Sequence, residues 1–82
     1  MKKNFISTLN SMFVWCMILT PNTIIERIKK QFPFIEVSVT NFNEESATLH
    51  FSFGELEGKD VCFDCIFLLK KRERDYQIIN IN

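Results

Sequence analysis

The fold of this chain is decided by a stretch in which apolar and polar side chains alternate, Ala47-Thr48-Leu49-His50-Phe51-Ser52-Phe53. A period of two places successive side chains on opposite faces of a β-strand, so the odd-numbered residues share one apolar face. Similar strand-forming runs cover Phe34–Thr40, Val61–Lys70 and Tyr76–Ile81. The sequence therefore predicts four strands that pair in chain order as an antiparallel meander.

Two helices are predicted before the strands. The second one starts near Thr20-Pro21, where Thr23 and Glu26 have the spacing of a capping box, and it ends before Pro33. Its apolar face consists of Ile24, Ile25, Ile28 and Phe32. At 82 residues the chain has room for one domain. We therefore predict a single α+β domain, 1–82, with two N-terminal helices packed on one face of a four-stranded antiparallel sheet.

The first 19 residues allow two interpretations. An amphipathic helix is one, because Phe5, Leu9, Met12, Phe13 and Cys16 fall on one helical face, opposite Lys3, Ser7, Asn10 and Ser11. A secretory signal or membrane anchor is the other, because a basic start precedes the apolar run Met12–Leu19. That run is too short to span a bilayer. The helix, with a cytoplasmic location, is favoured, while a secreted or membrane-anchored protein stays open.

Composition narrows the classes of partner. Ten Lys and Arg residues balance ten Asp and Glu residues, so the chain lacks the long-range field that attracts nucleic acid or an anionic membrane. We expect no nucleic-acid partner, and no membrane contact unless the N-terminal helix is an anchor. Three cysteines, Cys16, Cys62 and Cys65, cannot all pair within one chain, which favours reduced thiols.

The strand pattern also predicts an apolar patch on the outer face of the sheet. We expect Asn41 to pair with Ala47, Phe51 with Phe63, and Lys70 with Tyr76. Odd-numbered residues of the last two strands, including Ile79 and Ile81, then face the core. The outer face is left with four large apolar side chains, Ile66, Leu68, Tyr76 and Ile78. Because the water-exposed face of a sheet is normally polar, this patch predicts a protein interface, with a second copy of the chain as one partner.

No motif predicts a cofactor or a metal ion. Cys62 and Cys65 are three residues apart on a predicted strand, so their thiols point to opposite faces and cannot bind one ion. The loop Gly54–Gly58 carries two carboxylates, too few for calcium. The charged turn Lys71–Asp75 mixes both signs, which is typical of a solvated connection. His50 is predicted to lie beside Asp64 on the outer face, where a carboxylate could orient a general base.

The end of the chain resembles a known superfamily. The apolar run through Leu69, a charged turn, and Asp75-Tyr76-Gln77-Ile78-Ile79-Asn80-Ile81 look like the last strands of nuclear-transport-factor-2-like or cystatin-like domains. The similarity covers residues 23–82, with Tyr76 where such domains often carry Trp. It implies a helix-covered concave sheet face and a convex face that often dimerises. No catalytic residue of that superfamily maps onto this chain.

The sequence thus favours a small non-enzymatic interaction module that self-associates through the outer face of its C-terminal hairpin. One alternative is a pocket enzyme or ligand carrier that uses His50 and Asp64 as acid and base, which requires a cavity containing both side chains. A second alternative is a secreted cystatin-like domain.

Overall fold

The computed structural model describes residues 1–82 and contains two helices and five strands. In chain order these are α1 (Lys2–Phe13), β1 (Met17–Ile18), α2 (Pro21–Gln31), β2 (Glu36–Phe42), β3 (Ser46–Leu56), β4 (Lys59–Lys71) and β5 (Tyr76–Ile81). The strands form one antiparallel sheet in the order β1-β5-β4-β3-β2. The α+β class and the four-strand meander are confirmed, and the sheet has one strand more than predicted.

The additional strand comes from the apolar run that the sequence predicts as part of the first helix. Helix α1 ends at Phe13, and after a tight turn Met17 pairs with Gln77 and Ile18 with Tyr76. The helix expected across 1–19 is therefore too long. β-Branched and aromatic residues after Phe13 are weak helix formers, and the open side of β5 offers backbone partners for them.

Helix α2 begins three residues earlier than its capping box predicts. Thr20 is the N-cap and Pro21 is the first helical residue, a position where a missing N–H costs nothing. Thr23 therefore lies inside the first turn, so the predicted box with Glu26 is wrong. The predicted end is confirmed, because the helix stops at Gln31 before Phe32-Pro33.

Both helices pack on the same side of the sheet. A single core cluster combines Leu9 and Phe13 of α1, Ile24 and Ile28 of α2, and inward residues of every strand except β2. From β2, Val37 and Val39 are half-buried and pack against that cluster. The opposite face of the sheet has no helix over it.

The central pairing follows the predicted register. Phe51 pairs with Phe63 and His50 with Asp64, so odd-numbered residues of β3 and β4 face the helices. Between β2 and β3 the register changes at Thr40, and Phe42 rather than Asn41 pairs with Ala47. The Phe42 ring then lies 5.3 Å from the Tyr76 ring, although β3 and β4 separate their strands. The sheet is therefore strongly curled at this end.

The register of the last hairpin corrects the predicted outer patch. The Arg72 N–H donates to the Asp75 carbonyl at 2.8 Å, and Tyr76 pairs with Lys71 instead of Lys70. A shift of one residue exchanges the two faces of a strand. Tyr76 consequently packs against the core and Ile78 is completely buried. Their predicted position on the outer face is wrong.

Further along β5, a β-bulge returns the side chains to the faces that the sequence predicts. Leu69 pairs with Ile78 and Leu68 with Asn80, so Ile79 is the extra residue. Ile81 then pairs with Phe67 and is buried, as predicted. Ile79 is half-buried and is not part of the core cluster, which corrects its predicted place there.

Phe5 anchors the start of α1 to the sheet. Its ring makes edge contacts with four other phenylalanines at centroid distances of 5.1 to 5.9 Å, namely Phe32, Phe51, Phe53 and Phe63. Edge-to-face aromatic pairs at such distances are stabilising beyond their buried area.

Asn10 anchors the other end of α1. Its Nδ2 donates to the Ile81 carbonyl at 2.9 Å, and the Ile81 N–H donates to its Oδ1 at 3.2 Å. Nδ2 also donates to the Ile6 carbonyl within the helix at 2.9 Å. The side-chain amide thus completes the hydrogen bonding of β5 beyond β1. Its predicted place on the polar face of the helix is wrong, because Asn10 is half-buried between helix and sheet.

We expect Asn10→Ala to lower the free energy of unfolding by about 1 to 3 kcal/mol, because the backbone groups of Ile81 lose their partners. Asn10→Asp should cost at least as much, since a carboxylate oxygen would then face the Ile81 carbonyl. Urea unfolding measures both changes. Exposed Asn4 is the matched control, and Asn4→Ala should stay within about 0.5 kcal/mol of the unchanged chain. Equal losses of unfolding free energy in Asn10→Ala and Asn4→Ala would contradict the role of Asn10 in joining α1 to β5.

Candidate functional site

The uncovered face of the sheet carries two neighbouring apolar side chains on its central strand. Ile66 is 43% exposed and Leu68 is 36% exposed. Thr48 lies opposite Ile66, while Ser46 and Asn80 lie on either side of Leu68. Of the four residues predicted to form the interface, these two are on the outer face. We call them the Ile66–Leu68 patch.

Charges are separated along the outer face of β4. The even-numbered positions read Asp60, Cys62, Asp64, then the Ile66–Leu68 patch, then Lys70, and all are exposed. Arg72 extends the basic end, because its Nη2 donates to Gln77 Oε1 at 2.7 Å. Gln77 lies between Lys70 and Met17 on the same face. The patch therefore has an acidic neighbour on one side and a basic neighbour on the other.

His50 and Asp64 form the predicted cross-strand pair. Nδ1 of His50 donates to Oδ1 of Asp64 at 2.7 Å, and the side chains are 40% and 58% exposed. Both lie on the outer face, as predicted from the register. The pocket-enzyme alternative needs both side chains inside a cavity, and the structure contains no pocket. An exposed pair in water contributes little to stability.

The cysteines occupy opposite faces of β4, as predicted. Cys62 is exposed and Cys65 is completely buried. Burial raises the pKa of the Cys65 thiol; nearby Lys2 opposes this rise and Asp64 adds to it. Cys16 is half-buried, with Sγ 3.5 Å from the Met12 carbonyl. No group of three or more side chains is arranged to hold a metal ion.

The acidic loop is a tight hairpin connection. Leu56 pairs with Lys59, and the two residues between them, Glu57 and Gly58, have φ of 53° and 78°. Positive φ at both central positions defines the type I′ turn that suits twisted hairpins. The two loop carboxylates, Glu55 and Glu57, are exposed, in agreement with a solvated connection.

A second set of exposed apolar residues, which the sequence did not reveal, surrounds β1. Trp15, Met17 and Leu19 are 64%, 41% and 66% exposed. Trp15 has φ of 73°. It is the third residue of a turn closed by the Cys16 N–H and the Phe13 carbonyl at 2.8 Å. Its N–H donates to the Ile78 carbonyl at 2.7 Å, and the Ile78 N–H donates to Cys16 at 2.9 Å.

Those bonds define a type II turn that runs into a G1 bulge, in which one residue needs left-handed backbone angles. Glycine is the usual occupant, and a bulky side chain there costs about 1 to 2 kcal/mol. This turn could not be predicted, because Trp15 occupies the position at which a glycine would have indicated it. Strained residues of this kind concentrate at functional positions.

Neither helix is long and apolar enough to cross a membrane. No family model, curated protein or solved structure matches this chain. The similarity to nuclear-transport-factor-2-like and cystatin-like domains therefore stays a prediction.

At Trp15 we expect glycine to be tolerated better than alanine. Trp15→Gly and Trp15→Ala lose the same packing, but only glycine relieves the strain, so the Gly variant should be more stable by about 1 kcal/mol. The matched pair Met17→Gly and Met17→Ala should show the usual opposite order, since Met17 has ordinary strand geometry. Thermal unfolding of the four variants measures the difference. If alanine is more stable than glycine at both positions, strain at Trp15 is ruled out.

The two strand cysteines should differ in reactivity. At pH 8, iodoacetamide should modify Cys62 at least about 100-fold faster than Cys65, because Cys65 is buried and its raised pKa disfavours the thiolate. Mass spectrometry of peptides from a time course measures both rates. In urea the two rates should converge. Similar rates in the folded protein would mean that β4 opens readily.

Proposed function

We propose that this chain is a small interaction module that self-associates through the Ile66–Leu68 patch. The observation that carries the proposal is the position of these two side chains, next to each other on the central strand of the one sheet face that no helix covers. Strands that are apolar on both faces normally lie between two layers. A second layer of protein over this face would give β4 that environment.

The surroundings of the patch support a protein contact. Thr48, Ser46 and Asn80 are short and polar, so they allow close approach and can form hydrogen bonds at the rim of an interface. Because the sheet is curled around the helices, the contact is limited to the outer face of β3, β4 and β5 between Asp64 and Lys70, which strand spacing and rise give as about 14 by 20 Å, or about 300 Å². A stable complex buries about 800 Å² on each partner, so we infer a weak, reversible contact.

Chain length gives a second argument. A domain of 82 residues buries a smaller fraction of its surface than a larger one, and its stability is correspondingly modest. Association favours the folded state because only folded chains present the patch. The resemblance to nuclear-transport-factor-2-like domains leads to the same expectation of an open face that dimerises.

The proposal is tested with the double variant Ile66→Thr/Leu68→Gln. Both replacements keep side chains of similar size and add no charge. A dimer contains four of them, and each removes about 0.5 kcal/mol of apolar burial, because the two side chains are only 43% and 36% exposed before association. We expect the dissociation constant of the dimer to rise about 30-fold, measured by sedimentation equilibrium. Ser38→Gln, on the same face but on the outermost strand β2, is the control and should have no effect. A chain that is monomeric before any substitution, or an unchanged constant in the double variant, would contradict the proposal.

A further inference from the structure

The outer face of β4 is self-complementary in charge. Its exposed side chains place acids, Asp60 and Asp64, before the Ile66–Leu68 patch and a base, Lys70, after it. Asp64 and Lys70 are each three residues from Phe67, the buried residue that lies between Ile66 and Leu68 in the chain. Consider a twofold axis that lies midway between two facing sheets, above Phe67 and perpendicular to β4. Rotation about this axis places the Asp64 position of one molecule opposite the Lys70 position of the other.

From this pattern we infer that the partner is a second copy of the chain, stacked face to face with its β4 antiparallel. The inference rests on the proposed self-association and specifies its arrangement. In this arrangement Ile66 of each protomer meets Leu68 of the other, and Asp64 of each protomer meets Lys70 of the other. A twofold contact repeats each interaction, so two ion pairs flank one apolar centre.

The neighbouring strands fit the same axis. Ser46 lies beside Leu68 and Thr48 beside Ile66, so the rotation places the two hydroxyl-bearing residues opposite each other. Asn80 lies beside Leu68, and the backbone of Asn82 pairs with Ile66 at 2.9 Å in both directions. The rotation therefore also places two amides opposite each other. Short polar side chains on both sides of the patch leave room for the apolar contact.

Distances between packed sheets agree with the ion pairs. Facing sheets lie about 10 Å apart, which a lysine and an aspartate side chain together can span. The bond of Asp64 to His50 uses Oδ1, so Oδ2 can accept from the lysine of the other protomer. A parallel arrangement of the two β4 strands would instead place Asp64 against Asp64 and Lys70 against Lys70. Like charges in a contact disfavour that arrangement.

Charge reversal tests this arrangement. Asp64→Lys alone places two lysines opposite each other at both ends of the contact, and Lys70→Asp alone places two aspartates there. Each single variant should dimerise at least about 10-fold more weakly than the unchanged chain at low salt. A mixture of the two variants restores opposite charges at both ends and should form mixed dimers with nearly the original affinity. Sedimentation, with one variant carrying a fluorescent label, measures the dimer affinity of each single variant and of the mixture.

The possible outcomes separate this inference from the proposed function. Mixed dimers that are tighter than either single variant support the twofold arrangement. Single variants that dimerise like the unchanged chain overturn it, while the effect of Ile66→Thr/Leu68→Gln still decides self-association. An unchanged chain that is monomeric at about 1 mM overturns both.

Circular dichroism checks that each variant folds. If a reversed chain does not fold, Asp64→Asn and Lys70→Gln replace the reversals, and each should weaken the dimer by about threefold. No effect of either neutral variant also overturns the arrangement.

Discussion

The structure depends on the continuous pairing of β3 with β4, which keeps one register from Ser46 opposite Leu68 to Ser52 opposite Cys62. This pairing fixes which side of the two longest strands faces the helices. Since side chains alternate, this one register places Leu49, Phe51, Cys65 and Phe67 in the core together. The same register places His50, Asp64, Ile66 and Leu68 on the open side. The core and the candidate interface are therefore two consequences of one register.

Away from this centre the register is adjusted by irregularities. Bulges lie near Thr40 in β2, near Gly54 in β3, at Ile79 in β5 and at Trp15 before β1. Each one increases the local twist of the strand that contains it, and together they curl the sheet around the helices. The contact between Phe42 and Tyr76 depends on that curvature. The strain at Trp15 is a local cost of attaching β1 to the same sheet.

Regular alternation was the part of the fold that could be predicted. The middle strands follow it closely, and their faces, pairing and register, including His50 beside Asp64, follow from the sequence.

Tyr76 and Ile78 could not be placed, because a turn that is one residue tighter exchanges the two faces of the following strand without changing the sequence pattern. The bulge at Ile79 then hides the reversal, since Ile81 is buried in either register. Strand β1 could not be predicted because two residues are too few to show a period. The role of Asn10 could not be predicted either, because its partners are backbone groups of β5, which is distant in the sequence. The charge order along β4, by contrast, could have been read from the sequence, since it follows from the even positions.

The two outermost strands of the sheet limit how molecules of this kind can assemble. Strand β1 offers two residues, and β2 is interrupted by its bulge after Val39. Neither provides a long, flat row of free backbone groups, so neither is a good template for endless strand addition from molecule to molecule. The proposed twofold association through the open face of the sheet would use up that face on both molecules. Such an assembly closes at two chains and does not grow into a filament, even at the high local concentrations that favour aggregation of small aromatic-rich proteins.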